Sequence, residues 1–265
     1  MITWDNFVVF FFLTAGFWSL GLVFSAFTGS KLLDRLSVSA FLVGEAVLIC
    51  FLVLFWISLE RPPLRTLGET RLWYSVLLPL TGLVVRWRWD FKWLVHYTIV
   101  LASVFLFINY LHPELHDKTL MPALQSVWFI PHVVVYLVGY ALLGGAAMVS
   151  VHGLYVVLAK KSGDKQLSIA NSLVTLGFVF LSMGLLFGGL WAKEAWGHYW
   201  TWDPKETWAF LTWIAFLIYI HLNVGRRMTK RFAFTFLALS FVVLLLCWFG
   251  VNYMPSSQSS VHTYN

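Results

Sequence analysis

The 265-residue chain has the composition of a membrane protein, with 60% hydrophobic and only 11% charged residues. Because soluble domains carry about 25% charged residues, the chain lacks the polar surface of a water-soluble globule. Its net charge of +6 comes from Lys and Arg in short segments between apolar runs, where they act as topology signals. The composition therefore favours membrane lipid as the surroundings and argues against nucleic acid as a partner.

The two cysteines exclude two classes of function. Cys50 and Cys247 each lie inside an apolar run, and the sequence contains neither CxxC nor CxxCH. The chain is therefore neither a c-type cytochrome nor a dithiol oxidoreductase. Its first residues include Asp5 and lack a basic n-region, so we expect the first apolar run to be retained as a span.

Eight apolar runs are candidates for helices that cross the bilayer, which takes about 20 residues. They cover 7–28, 36–59, 72–86, 93–111, 128–158, 172–191, 207–224 and 232–252. The third is short, and the fifth is long enough to tilt or protrude. We predict an all-α fold, a polytopic integral membrane helical bundle of about eight transmembrane helices that forms a single membrane domain over 1–265.

The linkers between these runs differ in their basic residues. The odd-numbered linkers carry twelve of the 18 Lys and Arg residues, and the even-numbered linkers carry six. By the positive-inside rule, the odd-numbered linkers are predicted to be cytoplasmic. Both termini and the linkers 60–71, 111–127 and 192–206 are then expected on the external face.

The external loop 192–206 and its flanks are rich in aromatic residues. Segment 191–208 reads WAKEAWGHYWTWDPKETW, and its aromatic residues are Trp191, Trp196, Tyr199, Trp200, Trp202 and Trp208. An indole offers a wide apolar face and one N–H donor, which suits a flat ligand as well as a bilayer interface. Lys193 and Lys205 add charge that matches the propionates of haem. An interfacial anchor is the alternative interpretation, although an anchor needs only one or two Trp per helix end.

Part of this loop has the pattern of a helix start. Asp203 suits the N-cap, Pro204 the first helical position and Glu206 the acidic position of a capping box. We interpret these residues as fixing where the seventh helix leaves the membrane surface, and not as a catalytic acid pair. No catalytic residue is predicted.

Histidines are candidate haem ligands, because an ionisable side chain in a span is costly and His is the commonest axial ligand of haem iron. His132 lies one turn into the fifth run, and His262 lies in the external tail. Together they are suited to bis-His ligation of one haem beside the Trp-rich loop. His221 lies 13 residues beyond Trp208, about 20 Å along a helix, and indicates a second haem position or a packing contact.

The remaining histidines have weaker assignments. His96 and His152 lie towards the cytoplasmic ends of their spans, where either is a candidate partner of His221. His112 and His116 fall in an external loop and are expected to be solvated. His198 lies in the Trp-rich loop, within reach of a ligand.

Several segments resemble one family of membrane proteins. WGHYWTWDPKETW is similar to the WWD signature of haem-handling membrane proteins, and its DPKETW ending resembles the CcsA (ResC-type) branch of System II cytochrome c biogenesis. Segments 122–143, 188–196, 212–230 and 250–264 also fit this branch. The resemblance covers most of 60–265, whereas 1–59 match only as apolar spans.

The resemblance implies the haem-handling component of a cytochrome c synthase, a lyase that acts with a CcsB (ResB) membrane partner. Haem b is passed across the membrane, and at the external WWD site its vinyl groups form thioethers with the CxxCH thiols of apocytochrome c. A separate thiol reductant protein keeps those thiols reduced. By resemblance, His132 and His262 ligate iron at the external site, with the loop aromatics and Asp203 completing the site. His221 ligates iron in the membrane, and the partner supplies the other histidine.

Two positions depart from the family pattern. His198 stands where serine is usual, and the tail MPSSQSSVHTYN replaces a glycine-rich pattern around His262.

Three other functions stay open: haem delivery without ligation, as in the CcmC branch, a bis-His membrane cytochrome b, and a non-haem transporter or structural subunit. The resemblance favours a bacterial cytoplasmic membrane over a thylakoid membrane.

Overall fold

The structure is a computed structural model that describes residues 2–27, 30–64, 66–113, 116, 126–225 and 228–254. Eight long α-helices account for most of these residues, and no strand occurs among them. They are α1 (Trp4–Ala26), α2 (Lys31–Leu59), α3 (Leu67–Trp89), α4 (Lys92–Leu111), α5 (Phe129–Leu158), α6 (Asp164–Trp196), α7 (Pro204–Val224) and α8 (Lys230–Trp248). The short 3-10 helix Gly250–Tyr253 follows α8. The predicted all-α membrane fold is confirmed.

Seven of these helices are long and apolar enough to span a membrane, and α3 is the exception within the described ranges. Ion pairs nevertheless show that α3 runs antiparallel beside α2. Arg61, just after α2, pairs with Glu69 at the start of α3. At the opposite end, Arg86 of α3 pairs with Asp34 in the first turn of α2. A charged helix is thus packed among apolar spans.

The chain forms two compact units, residues 1–120 and 121–265. In the N-terminal unit, α1 packs mainly against α2, and α3 mainly against α4. A Cβ at Gly44 of α2 would lie 2.5 Å from the Trp18 ring of α1, so this glycine permits the close contact of the two helices. The buried core includes Phe7, Trp18, Phe41, Leu48, Phe51, Leu72 and Ile99.

In the C-terminal unit, α5 packs along α6, and α8 packs against both α5 and α7. Small residues build the α5–α6 interface: a Cβ at Gly177 would lie 2.8 Å from Leu143. Such interfaces are typical of membrane helices, which associate through close packing. The antiparallel arrangement brings the start of α5 to the end of α6, where Ser126 donates a hydrogen bond to Glu194 at 2.6 Å.

Helix boundaries follow the predicted runs within about four residues except in three helices. α2 begins at Lys31, five residues before the predicted run. α3 begins at Leu67, five residues before the predicted run. α6 begins at Asp164, before the predicted 172, and continues to Trp196. Because α7 begins at Pro204, the non-helical part of the predicted loop 192–206 is only 197–203. Trp196 therefore lies on a helix.

His116 contradicts the prediction of a solvated side chain. It is 7% exposed, and its ring stacks on Trp4 with 3.9 Å between the centroids. Its Nε2 lies 3.0 Å from the carbonyl oxygen of Asn109. The prediction was wrong because the start of α1, distant in sequence, covers this histidine. His112 is exposed, as expected.

Candidate functional site

His132 is held in one orientation by the neighbouring helix. It lies in the first turn of α5, and its Nδ1 is 2.9 Å from the carbonyl oxygen of Gly184 on α6. Because a carbonyl only accepts hydrogen bonds, Nδ1 of the neutral ring carries the proton and Nε2 carries the lone pair. This is the tautomer that ligates a metal through Nε2.

Two glycines of α6 make room for the side chains of α5. A Cβ at Gly188 would lie 2.8 Å from Cε1 of His132, and a Cβ at Gly184 would lie 2.6 Å from the Tyr136 ring. Both distances are too short for real Cβ contacts, so a larger residue at either position would force a shift. His132 and Tyr136 therefore occupy slots in the surface of α6.

Aromatic rings line the His132 ring. Trp191 lies beside it with 5.3 Å between the centroids and 30° between the planes. Trp191 is 4% exposed and also packs against Trp196 and Phe129, at centroid distances of 4.9 and 5.3 Å. Tyr136 makes an edge contact with His132 at 4.7 Å. The structure thus brings together the predicted site residues His132, Trp191 and Trp196.

The loop 197–203 is fixed by contacts to both flanking helices. Gly197 ends α6 with φ at +85°, and its carbonyl oxygen accepts a hydrogen bond from Lys193 Nζ at 2.8 Å. Lys193 also lies 5.4 Å from the centre of the Tyr199 ring, a cation–π contact. Trp202 has φ at +61°, a left-handed conformation that is unusual for a bulky residue and is found where the surroundings enforce it.

The predicted capping box at the start of α7 is present. Asp203 accepts a hydrogen bond from the Glu206 N–H at 2.8 Å, and Glu206 accepts one from the Asp203 N–H at 3.3 Å. The buried Glu206 carboxylate also accepts a hydrogen bond from the Thr201 N–H at 2.7 Å. Glu206 therefore holds the backbone on both sides of Trp202. No capping pattern signals this second contact, which sequence analysis missed.

Trp200 carries a half-buried ring whose indole N–H has no hydrogen-bond partner in the described parts of the chain. The ring packs against Trp202 and Phe210, with centroids 5.7 and 6.5 Å away. The N–H is itself buried, so Trp200 belongs to the packed aromatic cluster of the loop. An oriented imidazole at His132 beside aromatic rings is a set of groups that suits haem.

The loop also presents exposed side chains. Tyr199 and Trp202 are 59% and 62% exposed, and His198 is exposed as well. Trp208 is half-buried in the first turns of α7, where its carbonyl oxygen accepts a hydrogen bond from Thr212 at 2.8 Å. Aromatic surface on a fixed loop suits contact with a flat ligand or an incoming protein.

His221 lies on α7, well beyond the Trp-rich loop, and its side chain is exposed. Its Nδ1 is 3.0 Å from the carbonyl oxygen of Leu217, one turn earlier in the same helix. As in His132, donation from Nδ1 leaves the lone pair on Nε2. The ring therefore suits a ligand that approaches α7 from outside its own backbone.

The other predicted histidines lie elsewhere. His96, in the N-terminal unit, makes an edge contact with Phe41 at 5.9 Å. His152, on α5, lies 6.5 Å from the Tyr155 ring. His262 lies outside the described residues, so its predicted place as the second external ligand stays a prediction.

Comparison with known proteins identifies the family. Residues 8–258 match the family described as Cytochrome C assembly protein. The chain belongs to this cytochrome c assembly family. It is 32% identical to the Cytochrome c biogenesis protein CcsA of Cuscuta exaltata, over 87% of this chain and 86% of the relative. It is also 32% identical to the protein of that name from Chlamydomonas reinhardtii, over 84% and 67% of the two chains.

The solved structures add evidence on the fold. Cytochrome c Heme Lyase CcmF matches with a TM-score of 0.73 at 17% identity, over 94% of this chain and 47% of that chain. The chain thus spans about half the length of CcmF, and the likeness concerns the fold alone. Membership of the cytochrome c assembly family confirms the predicted CcsA-type resemblance. It implies haem handling at a membrane, with apocytochrome c as the protein substrate.

Proposed function

We propose that the chain is the haem-handling component of a cytochrome c synthase and presents haem b at an external WWD site for attachment to apocytochrome c. The observation that carries this proposal is His132, oriented by the Gly184 carbonyl with its lone pair on Nε2, beside the buried Trp191. A ligand to iron needs both a fixed ring and a defined tautomer.

At this site the chain positions the reactants. His132 would ligate the haem iron, together with His262 of the tail. Trp200 and the other aromatic side chains of the fixed loop 197–203 would set the plane of the substrate and leave its vinyl edge exposed. In the reaction, a cysteine sulfur forms a C–S bond to one vinyl carbon and the thiol proton goes to the other. Holding the reactants in register supplies much of the rate increase.

The CxxCH histidine of the incoming apocytochrome has to replace one of the two iron ligands. His262 is the residue displaced, since His132 is fixed by its bond to Gly184 and His262 belongs to the C-terminal tail. The substrate cysteines must be thiols. Cys50 and Cys247 of this chain lie in spans and form no external thiol pair. A separate reductant protein therefore keeps the substrate thiols reduced.

The second haem position is in the membrane, at His221. The exposure of this side chain supports a second ligand from outside the chain, and we assign it to a histidine of the CcsB (ResB) partner over His96 or His152. We place the chain in a bacterial cytoplasmic membrane with the Trp-rich loop and both termini on the external side, and the basic linkers support this orientation.

The visible spectrum of the complex with its CcsB partner tests the proposal. Wild type, His132→Gly and His262→Gly are purified and compared with and without imidazole. We expect external haem to be lost in both variants and restored by imidazole, with activity more fully rescued in His262→Gly. Unchanged haem in both variants contradicts the external site. A complex that binds haem but yields no covalent cytochrome c supports haem delivery without ligation instead.

A further inference from the structure

One end of the N-terminal unit combines exposed cations with aromatic rings. The turn from α3 to α4 reads RWRWDFKW over 86–93. The start of α2 lies beside this turn, because Asp34 bonds Arg86 and Lys92 at 2.8 and 3.2 Å. Lys31 and Arg35 are exposed on the same first turns of α2. We refer to residues 31–35 and 86–93 together as the basic–aromatic end.

The charges at this end do not cancel. Asp34 is shared between Arg86 and Lys92. With Asp90 included, the five cations and two acids of the basic–aromatic end leave a net charge of +3. Arg35 and Arg88 are both exposed, so this charge faces the surroundings of the protein.

The aromatic rings lie among these cations. Trp87 is 85% exposed, and the guanidinium of Arg88 lies 5.4 Å from the Trp89 ring. The buried Phe91 packs against Trp93 at 4.9 Å, which anchors the turn to the unit. A ring as exposed as Trp87 is unfavourable in water but favourable at the level of lipid headgroups, where indoles concentrate.

The charges of α3 also indicate that this end lies in the headgroup layer. This helix lies beside the apolar spans although it carries Arg86 and Arg88 in its last turn. Charged side chains at a helix end in a membrane reach the headgroup layer, where phosphate oxygens accept their hydrogen bonds. Arg in particular binds phosphate through two parallel N–H groups.

We propose that the basic–aromatic end is a binding surface for anionic phospholipid headgroups. The exposed Arg35 and Arg88 bind headgroup phosphates, and Trp87 lies against the interfacial region of the lipid. A merely solvated basic face accounts for the cations but not for the exposed indole among them.

Native mass spectrometry of the purified full-length chain, titrated with phosphatidylglycerol or phosphatidylcholine, tests this surface. Each cation near an anionic lipid contributes about five-fold in affinity. We therefore expect Arg35→Gln/Arg88→Gln to bind phosphatidylglycerol roughly 25-fold more weakly, with phosphatidylcholine unchanged. Arg35→Lys/Arg88→Lys keeps the charge and should retain most of the affinity.

A second variant is expected to strengthen the binding of phosphatidylglycerol. Asp34→Asn removes the acid shared by Arg86 and Lys92, so phosphatidylglycerol binding should become about five-fold tighter. Melting temperatures show whether each variant is folded. If Arg35→Gln/Arg88→Gln still prefers phosphatidylglycerol over phosphatidylcholine as strongly as wild type does, the proposal is wrong. Competition by millimolar inorganic phosphate also overturns it, because it reveals a simple anion site.

Discussion

At the scale of the residue, the position of His132 depends on the absence of a side chain at Gly188. A Cβ there would lie 2.8 Å from Cε1 and 2.9 Å from Nδ1 of the imidazole. The ring has to give way, and its hydrogen bond to the Gly184 carbonyl is then lost or lengthened. The orientation of the His132 ring thus depends on the glycines of α6 as well as on the histidine itself.

We expect Gly188→Ala to weaken haem binding at the external site about ten-fold, in the range seen when the partners that orient a metal-ligating histidine are lost. Absorbance titration of the complex with haem measures this. The adjacent Gly189→Ala is the matched control, since its Cβ meets, among the described residues, only the Tyr199 carbonyl oxygen at 3.5 Å, an ordinary contact. Equal affinities of the two variants would contradict the role assigned to Gly188.

Glu206 is the residue that keeps the loop in shape. Its Oε2 accepts hydrogen bonds from the N–H groups of Thr201 and Asp203, whereas Asp203 caps α7 through the N–H of Glu206. Hydrogen bonds to charged groups contribute about 1.5–3 kcal/mol each, and a lost N-cap costs about 1 kcal/mol.

We therefore expect Glu206→Ala to open the loop 197–203 and Asp203→Ala chiefly to loosen the start of α7. Limited proteolysis within the loop distinguishes the two. Faster cleavage in Asp203→Ala than in Glu206→Ala would show that the cap, and not the loop contacts, holds this region.

At the scale of the element, the described part of the N-terminal unit contains two buried carboxyl groups in opposite situations. Glu45 on α2 is 2% exposed, and neither carboxyl oxygen has a hydrogen-bond partner among the described residues. Glu69 on α3 is 1% exposed, caps its helix with Thr66 and pairs with Arg61 at 2.8 Å.

Burying an unpaired polar group costs about 1–3 kcal/mol, whereas removing one partner of a buried ion pair costs about 3–5 kcal/mol. Glu45→Leu should therefore raise the unfolding free energy of the protein, and Glu69→Leu should lower it. Thermal unfolding in detergent micelles measures both. Destabilisation by Glu45→Leu would show that this carboxyl has a partner, such as a bound water.

The sequence predicts helices better than it predicts their ends. Apolar runs mark the part of a helix inside the bilayer, and α6 continues through polar residues on both sides of its run, from Asp164 to Trp196. α3 shows the converse. Its charges at Glu69, Arg71 and Arg88 limit the apolar run to 72–86, whereas the helix itself covers Leu67–Trp89, and Glu69 in its first turn pairs with Arg61.

The candidate site likewise has features that the sequence predicts and features that it does not predict. The capping box at Asp203 follows from local spacing and is confirmed. The contact of His132 with Trp191 follows from antiparallel neighbours. The bond from His132 to the Gly184 carbonyl and the left-handed Trp202 depend on the packing register of α5 and α6 and on Glu206, so no sequence pattern marks them.

At the scale of the whole molecule, two haem positions would lie on one chain, at opposite ends of α7. We expect His221→Gly to lower the haem content of the complex with CcsB by about half, because the site at His132 stays intact. The pyridine haemochrome assay measures this, with His152→Gly as the control. Loss of all haem in His221→Gly would mean that the external site fills only through the membrane site.

The loop 197–203 has a further consequence through its fixed backbone. Contacts of Lys193 and Glu206 and the left-handed Trp202 fix its shape through groups of the chain itself. The conformational entropy of the loop is then lost when the protein folds and not when a ligand arrives. A flat ligand would meet a preorganised surface, so association should be limited by encounter rather than by rearrangement of the loop.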